Sequence, residues 1–192
     1  MNNIKEAAEA FFHLTRFQYD FTIGRKGVKQ EFRLDFDKAD FHHLCGLHKL
    51  RDIPILQQGM RTVIFDKILA GELDDSLIEK SVFYDQMAMR IQPLKQLEGF
   101  LDNNDIIFRY NEKAQKYSLI QADYLLEQEL QENIVYLFLG ERVKGGNQMC
   151  RTLFPKSEKD YTIGQPKYTL LEKKKVEIES GETTLSYIRG AS

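Results

Sequence analysis

Three of the chain's four histidines fall within seven positions, in the run Phe41-His42-His43-Leu44-Cys45-Gly46-Leu47-His48. Histidine has an ordinary pKa of ~6.5, so it takes and gives protons near neutrality. Acid–base chemistry is therefore the first expectation for this run. On a helix His42 and His43 point about 100° apart. His48 then shares a stripe with Phe41 and Leu44, so the same pattern also fits one histidine held in a core and another in solvent. The run is a poor metal site. His43 and Cys45 do not share a helix face, and His42 and His48 lack the i, i+4 spacing of a helical zinc pair.

A second cluster is cationic and hydroxyl-bearing: Cys150-Arg151-Thr152-Leu153-Phe154-Pro155, then Gln165-Pro166-Lys167-Tyr168-Thr169-Leu170-Leu171. Strand alternation puts Lys167 and Thr169 on one face and Tyr168 on the other. Cations beside hydroxyls could suit a phosphate, but pattern alone favours the polar outer face of an antiparallel sheet. Lys173-Lys174-Lys175 reads as a solvated strand edge, which lysine often protects. The chain has no phosphate-cradling loop of the P-loop type and no Gly-x-Ser-x-Gly elbow. Gly24-Arg25-Lys26-Gly27 reads as a basic hairpin tip.

The elements that must carry these groups follow from periodicity. Ile4, Ala7, Ala8, Phe11 and Leu14 predict an amphipathic helix over 3–17. Alternation in Tyr19–Ile23 and Phe32–Phe36 around a glycine-containing turn predicts a hairpin. Helices are expected over 37–50, capped by Asp37 or Asp40, and over 58–69, 75–79 and 83–101, with Pro93 kinking or bounding the last. Strands are expected at 106–108, 117–120, 134–139, 151–154, 168–171 and 184–188. Helices come early and strands late, which predicts one α+β domain over 1–192 with an antiparallel sheet, helix-rich to 103 and strand-rich from 104.

Composition sets the outer bounds. The 192 residues are 42% hydrophobic and 29% charged, the mix of a globular domain. The sequence holds no apolar run near the ~20 residues of a membrane span. Its start, Met1-Asn2-Asn3-Ile4-Lys5-Glu6, lacks the pattern of a secretory signal. Two cysteines, Cys45 and Cys150, make no disulfide framework. A reduced, cytoplasmic protein is expected. The net charge of −2 conceals an asymmetry: residues 1–141 hold 17 basic and 23 acidic residues, and 142–192 hold 10 and 6. A basic last quarter points to a polyanionic partner.

The residues Phe41-His42-His43-Leu44-Cys45-Gly46-Leu47 resemble the aromatic-x-His-Leu-x-Gly-Leu element of a phage-associated nuclease family. It is the fourth phage-type family of the barnase–EndoU–colicin–RelE-like group. The 150–155 and 165–171 runs resemble its later strands, so the likeness spans roughly residues 15 to 178. Cys45 departs from the pattern, where a small or hydroxyl residue is usual. The resemblance implies N-terminal helices packed on an antiparallel sheet of about four strands. It implies a metal-independent RNase of phage or mobile-element origin, in which the RNA 2′-hydroxyl attacks phosphorus with help from a base, an acid and cations. The expected catalytic groups are then His43, Arg151 and Thr169. The expected substrate-binding groups are Lys167, Tyr168, His48 and Lys95. No metal and no cofactor are expected, RNA or a protein is the expected partner, and no membrane is involved. A non-catalytic module on the same fold, binding nucleic acid or protein, is the alternative.

Overall fold

A computed structural model describes residues 2–116 and 118–190. Helix α1 (Asn3–Leu14) buries Ile4, Ala7, Ala8, Phe11 and Leu14 along one stripe. Its first turn is capped from afar: the Asp75 carboxylate accepts from the N–H groups of Asn3 at 2.6 Å and Ile4 at 3.0 Å. Strands β1 (Phe17–Arg25) and β2 (Val28–Leu34) form the expected hairpin, in register Phe21 to Phe32. Helix α2 (Lys38–Leu44) begins with a capping box between Asp37 and Asp40. Four helices follow: α3 (Pro54–Gln58), α4 (Arg61–Ala70), α5 (Asp75–Ile78) and α6 (Asp85–Lys95). The chain then bends at Gln96, three residues after Pro93, into α7 (Leu97–Asn103). The single helix expected over 83–101 is thus two, as Pro93 allows.

The remaining strands are β3 (Ile106–Arg109), β4 (Tyr124–Leu130), β5 (Asn133–Glu141), β6 (Gln148–Pro155), β7 (Lys167–Glu177) and β8 (Thr183–Ile188). The strand expected at 117–120 is not one. Tyr117 lies outside the described residues, and 118–120 carry no strand. The strand here is β4, whose Glu127, Gln128 and Glu129 had masked it.

The sheet departs from the expected open antiparallel one of about four strands. Its order is β1-β2-β6-β5-β4-β3-β7-β8, and β1 also pairs with β7. Seven strands therefore close into a barrel and β8 adds to it from outside. Two features close the ring. The N-terminal hairpin pairs with β7 from Phe17–Glu177 to Gly24–Thr169. On its other side β2 meets β6 in a single parallel pair, Leu34 with Gln148. Closing removes sheet edges that would otherwise attract other strands.

The closure also changes the Lys173-Lys174-Lys175 run, which is not a solvated edge. Lys173 is 2% exposed and donates to the carbonyls of Leu101, Asp102 and Asn104 at the end of α7. Lys175 is buried against Glu98 and Asp102, and Lys174 pairs with Glu172. Lys173 and Lys175 join the barrel to the helices, while Lys174 stays on the outer face of β7.

Strand β5 is buried on both faces. Val135, Leu137 and Leu139 join the main core with the helices. Tyr136 and Phe138 join Phe108, Tyr110 and Leu125 in a second core on the other face, against Phe154 and Tyr161. Among the described residues no helix is long and apolar enough to cross a membrane.

Candidate functional site

The histidine run is broken where the sequence has Gly46. Helix α2 stops at Leu44, and Gly46 takes φ +85°, a left-handed conformation that favours glycine. A short 3-10 turn over Leu47–Lys49 follows. His48 is therefore not on the α2 stripe. The turn carries it back so that its ring stacks on that of His43, with centroids 4.1 Å apart and planes within 10°. His42, one residue from His43, points the other way. It is buried, and its Nε2–H donates to the Leu56 carbonyl at 2.7 Å, which ties α2 to α3. His42 is thus the core histidine and His43 the open one.

Arg151 reaches the same place through an irregularity in β6. Phe138 pairs with Thr152, but the next pair is Leu139 with Cys150, so Arg151 is the extra residue of a β-bulge. Cys150 and Leu153 both point into the main core. The two residues between them, Arg151 and Thr152, consequently both face away from it; re-aiming a side chain is what a bulge does. Arg151 lies across Gly140 of β5: a Cβ there would come within 2.8 Å of Arg151 Nε. Its guanidinium donates to the Glu141 carbonyl at 2.5 Å.

A third cation comes from α6. Arg90 occupies the apolar stripe with Met87, Ile91 and Leu94 and is 8% exposed. It donates to Thr152 Oγ1 at 2.8 Å and to the Leu153 carbonyl at 3.1 Å. Its guanidinium carbon sits 5.6 Å from the Phe154 ring centroid. Gly46 makes room for it, since a Cβ at that position would meet Arg90 Cδ at 2.9 Å.

These groups line one cleft of about 690 Å³, between α2, α6 and β6. That size is within the ~300–1,000 Å³ range of ligand sites. His43, His48, Lys49, Arg90, Arg151 and Thr152 form its polar wall, and Phe154, Tyr161, Ile120, Leu119 and Met89 its apolar one. Among the described residues the lining contains no Asp or Glu, and neither Arg90 nor Arg151 meets a carboxylate. The Nε of each arginine and Nδ1 of His48 are buried without a protein partner.

Burial, and after it the unopposed cations, set the proton affinities. Burial first, then Arg90, Arg61, His42 and Arg151, lowers the pKa of His43. Burial, then His43, Arg90, Lys49 and His42, lowers that of His48 to about 4. Burial and the nearby Arg90 and Arg51 also lower that of Lys49. Both open histidines are therefore neutral at pH 7 and able to accept a proton, while the arginines stay charged. Such a cleft attracts an anion that brings its own negative charge.

The structure thus brings together His43, His48 and Arg151. Lys167, Tyr168 and Thr169 lie elsewhere, in a depression with Asp105, Tyr187 and Arg189. Lys95 bonds Asn3 at 2.8 Å and Glu6 at 2.5 Å, fastening α6 to α1. Sequence reading passed over Arg90 and Lys49. The signal for Arg90 was available: it is a charge at stripe spacing, three residues after Met87 and four before Leu94. Among the described residues no group of three or more His, Cys, Asp or Glu is placed to hold a metal ion.

The family model described as phage-Barnase-EndoU-ColicinE5/D-RelE like nuclease4 matches residues 3–190. No curated protein and no solved structure matches the chain.

Proposed function

The chain belongs to the phage-Barnase-EndoU-ColicinE5/D-RelE like nuclease4 family, and on that premise we propose that it cleaves RNA through its own 2′-hydroxyl, without a metal. The observation that carries the reading is the stacked His43–His48 pair facing Arg90, Arg151 and Thr152 in a cleft without carboxylates. His43, neutral and open to solvent, takes the proton of the 2′-hydroxyl. The 2′-oxygen bonds to phosphorus and the bond from phosphorus to the 5′-oxygen breaks. Arg90 and Arg151 stabilise the charge that builds on the phosphoryl oxygens. Burial first, and the neighbouring cations second, hold His48 neutral; the phosphate's negative charge raises its proton affinity, so His48 gains a proton in the complex and gives it to the departing 5′-oxygen. The products are a 2′,3′-cyclic phosphate and a free 5′-hydroxyl. Lys167, Tyr168, Thr169 and Lys95 have no part in this step.

The test is cleavage of a labelled RNA by purified protein in EDTA. Cyclic phosphate ends are expected, with no cleavage of the 2′-deoxy strand and none by His43→Ala. Cleavage that requires an added divalent metal, equal cleavage by His43→Ala, or cleavage of the deoxy strand overturns the proposal. Binding of RNA with no cleavage overturns the catalytic part and leaves a binding module.

A further inference from the structure

Phosphate chemistry accounts for only one wall of the cleft. The other presents Phe154, Tyr161, Ile120, Leu119 and Met89, and two of these are open to solvent, Leu119 at 97% and Met89 at 53%. Apolar surface beside a cationic pocket asks for a ligand that is part anion and part flat, apolar ring. We propose that this wall is a subsite for one unpaired nucleobase, the base of the nucleotide whose phosphate sits at Arg90 and Arg151, so that the substrate is single-stranded at the site. The proposal rests on the nucleic-acid reading above and extends it to what the cleft takes.

Three features support it. First, the aromatic rings are held rigidly. Phe154 stacks on Phe138 at 5.7 Å, and Tyr161 meets Phe154 edge-on at 5.6 Å. Second, the loop bearing Tyr161 is latched. Asp160 accepts from Lys156 Nζ, the Tyr136 hydroxyl and the N–H and hydroxyl of Thr162. Gln115 donates to the carbonyls of Tyr161 and Ile163, and Gln165 and Asn111 bond reciprocally. A preformed aromatic surface loses little freedom when a base stacks on it. Third, the aromatic and cationic walls touch, because Arg90 lies over Phe154. A base on Phe154 and Tyr161 is therefore a neighbour of a phosphate on Arg90. A base paired in a duplex has both faces stacked and cannot enter, whereas an unpaired one can.

The experiment uses 2′-O-methyl RNA oligonucleotides, which 2′-hydroxyl chemistry cannot cleave. Binding is measured for a single strand, the same strand as a duplex, and an abasic strand of equal length. Wild type should bind the base-bearing single strand at least about 10-fold tighter than the other two. Tyr161→Leu keeps the apolar bulk and removes the aromatic face; it should lose about that factor for the base-bearing strand and nothing for the abasic strand. Leu119→Ser, at an exposed position, should show a smaller loss of the same kind. Equal binding of abasic and base-bearing strands, equal binding of duplex, or a Tyr161→Leu loss shared by both strands overturns the subsite. None of these probes is cleaved, so base-dependent binding without RNA cleavage elsewhere refutes the catalytic reading alone.

Discussion

Replacing Arg90 by Met separates binding from stability. Arg90 is 8% exposed, and among the described residues it meets no carboxylate. Its hydrogen bonds go to one hydroxyl, Thr152 Oγ1, and one carbonyl, Leu153 O. Losing two such bonds costs about 2 kcal/mol. Against this stands the cost of holding a guanidinium out of water with no counter-charge, which is several kcal/mol. Methionine fills most of the same space beside Met87 and Gly46. Arg90→Met should therefore melt at or above the wild-type temperature. The same change removes a charge-assisted contact to phosphate worth roughly 1.5–3 kcal/mol, so RNA binding should fall by roughly 10- to 150-fold. The slope of log affinity against log salt should also fall by about one unit. Arg142→Met is the contrast. Arg142 pairs with Asp35 and with the buried Asp40. Removing it strands a buried carboxylate and should cost about 3–5 kcal/mol. Calorimetry and oligonucleotide titration read both variants. If Arg90→Met unfolds readily while binding RNA as before, the view of Arg90 as an anion-binding group held at a cost to stability is wrong.

Three further outcomes follow from the same geometry. An ordinary histidine base loses half its active form at pH ~6.5; the lowered pKa of His43 should move the acid-side fall of the rate profile below that point. Stability has a related dependence. His48 has a folded-state pKa of about 4 against an unfolded 6.5, so its contribution is full above 6.5 and is lost as pH falls toward 4. His48→Gln should flatten that part of the melting curve series, and an unchanged slope would deny that His48 is held neutral. Gly140→Ala drives a Cβ against the Arg151 side chain, whose far end can move. The fold should persist, shown by an unchanged melt, while kcat/KM falls roughly 10- to 100-fold through misplacement of the guanidinium.

Much of the fold was legible because local rules acted alone. The α1 stripe, the first hairpin, the Asp37–Asp40 cap and the break after Pro93 each depend on residues within a few positions of one another. Strand β4 was missed because Glu127, Gln128 and Glu129 dilute its apolar pattern, and pairing between β3 and β5 decides the matter instead. Barrel closure depends on β1 meeting β7 across 160 positions of sequence, from Phe17 to Glu177. No local pattern encodes that meeting. The site divides in the same way. The histidine run is local, and its meeting with Arg151 and Arg90 is not. Even within the run, Gly46 overrode the helical period that placed His48 with Phe41 and Leu44.

Charge shows why a sum over a segment misleads about a site. The basic last quarter holds Arg142, Lys173, Lys174 and Lys175, and every one of these is spent internally, on carboxylates or on the carbonyls that end α7. The cleft takes only Arg151 from that quarter. Arg90, Lys49 and both histidines come from the part of the chain where acids outnumber bases. What makes the cleft positive is the absence of acids from its lining, not a surplus of bases nearby. An unpaired buried cation is costly, and the two glycines that admit arginine side chains, Gly46 and Gly140, set where that cost falls. A cleft so arranged is most stable when an anion occupies it. Its electrostatics therefore favour a bound anion, while burial first and those cations second keep the neighbouring histidines neutral and able to accept a proton.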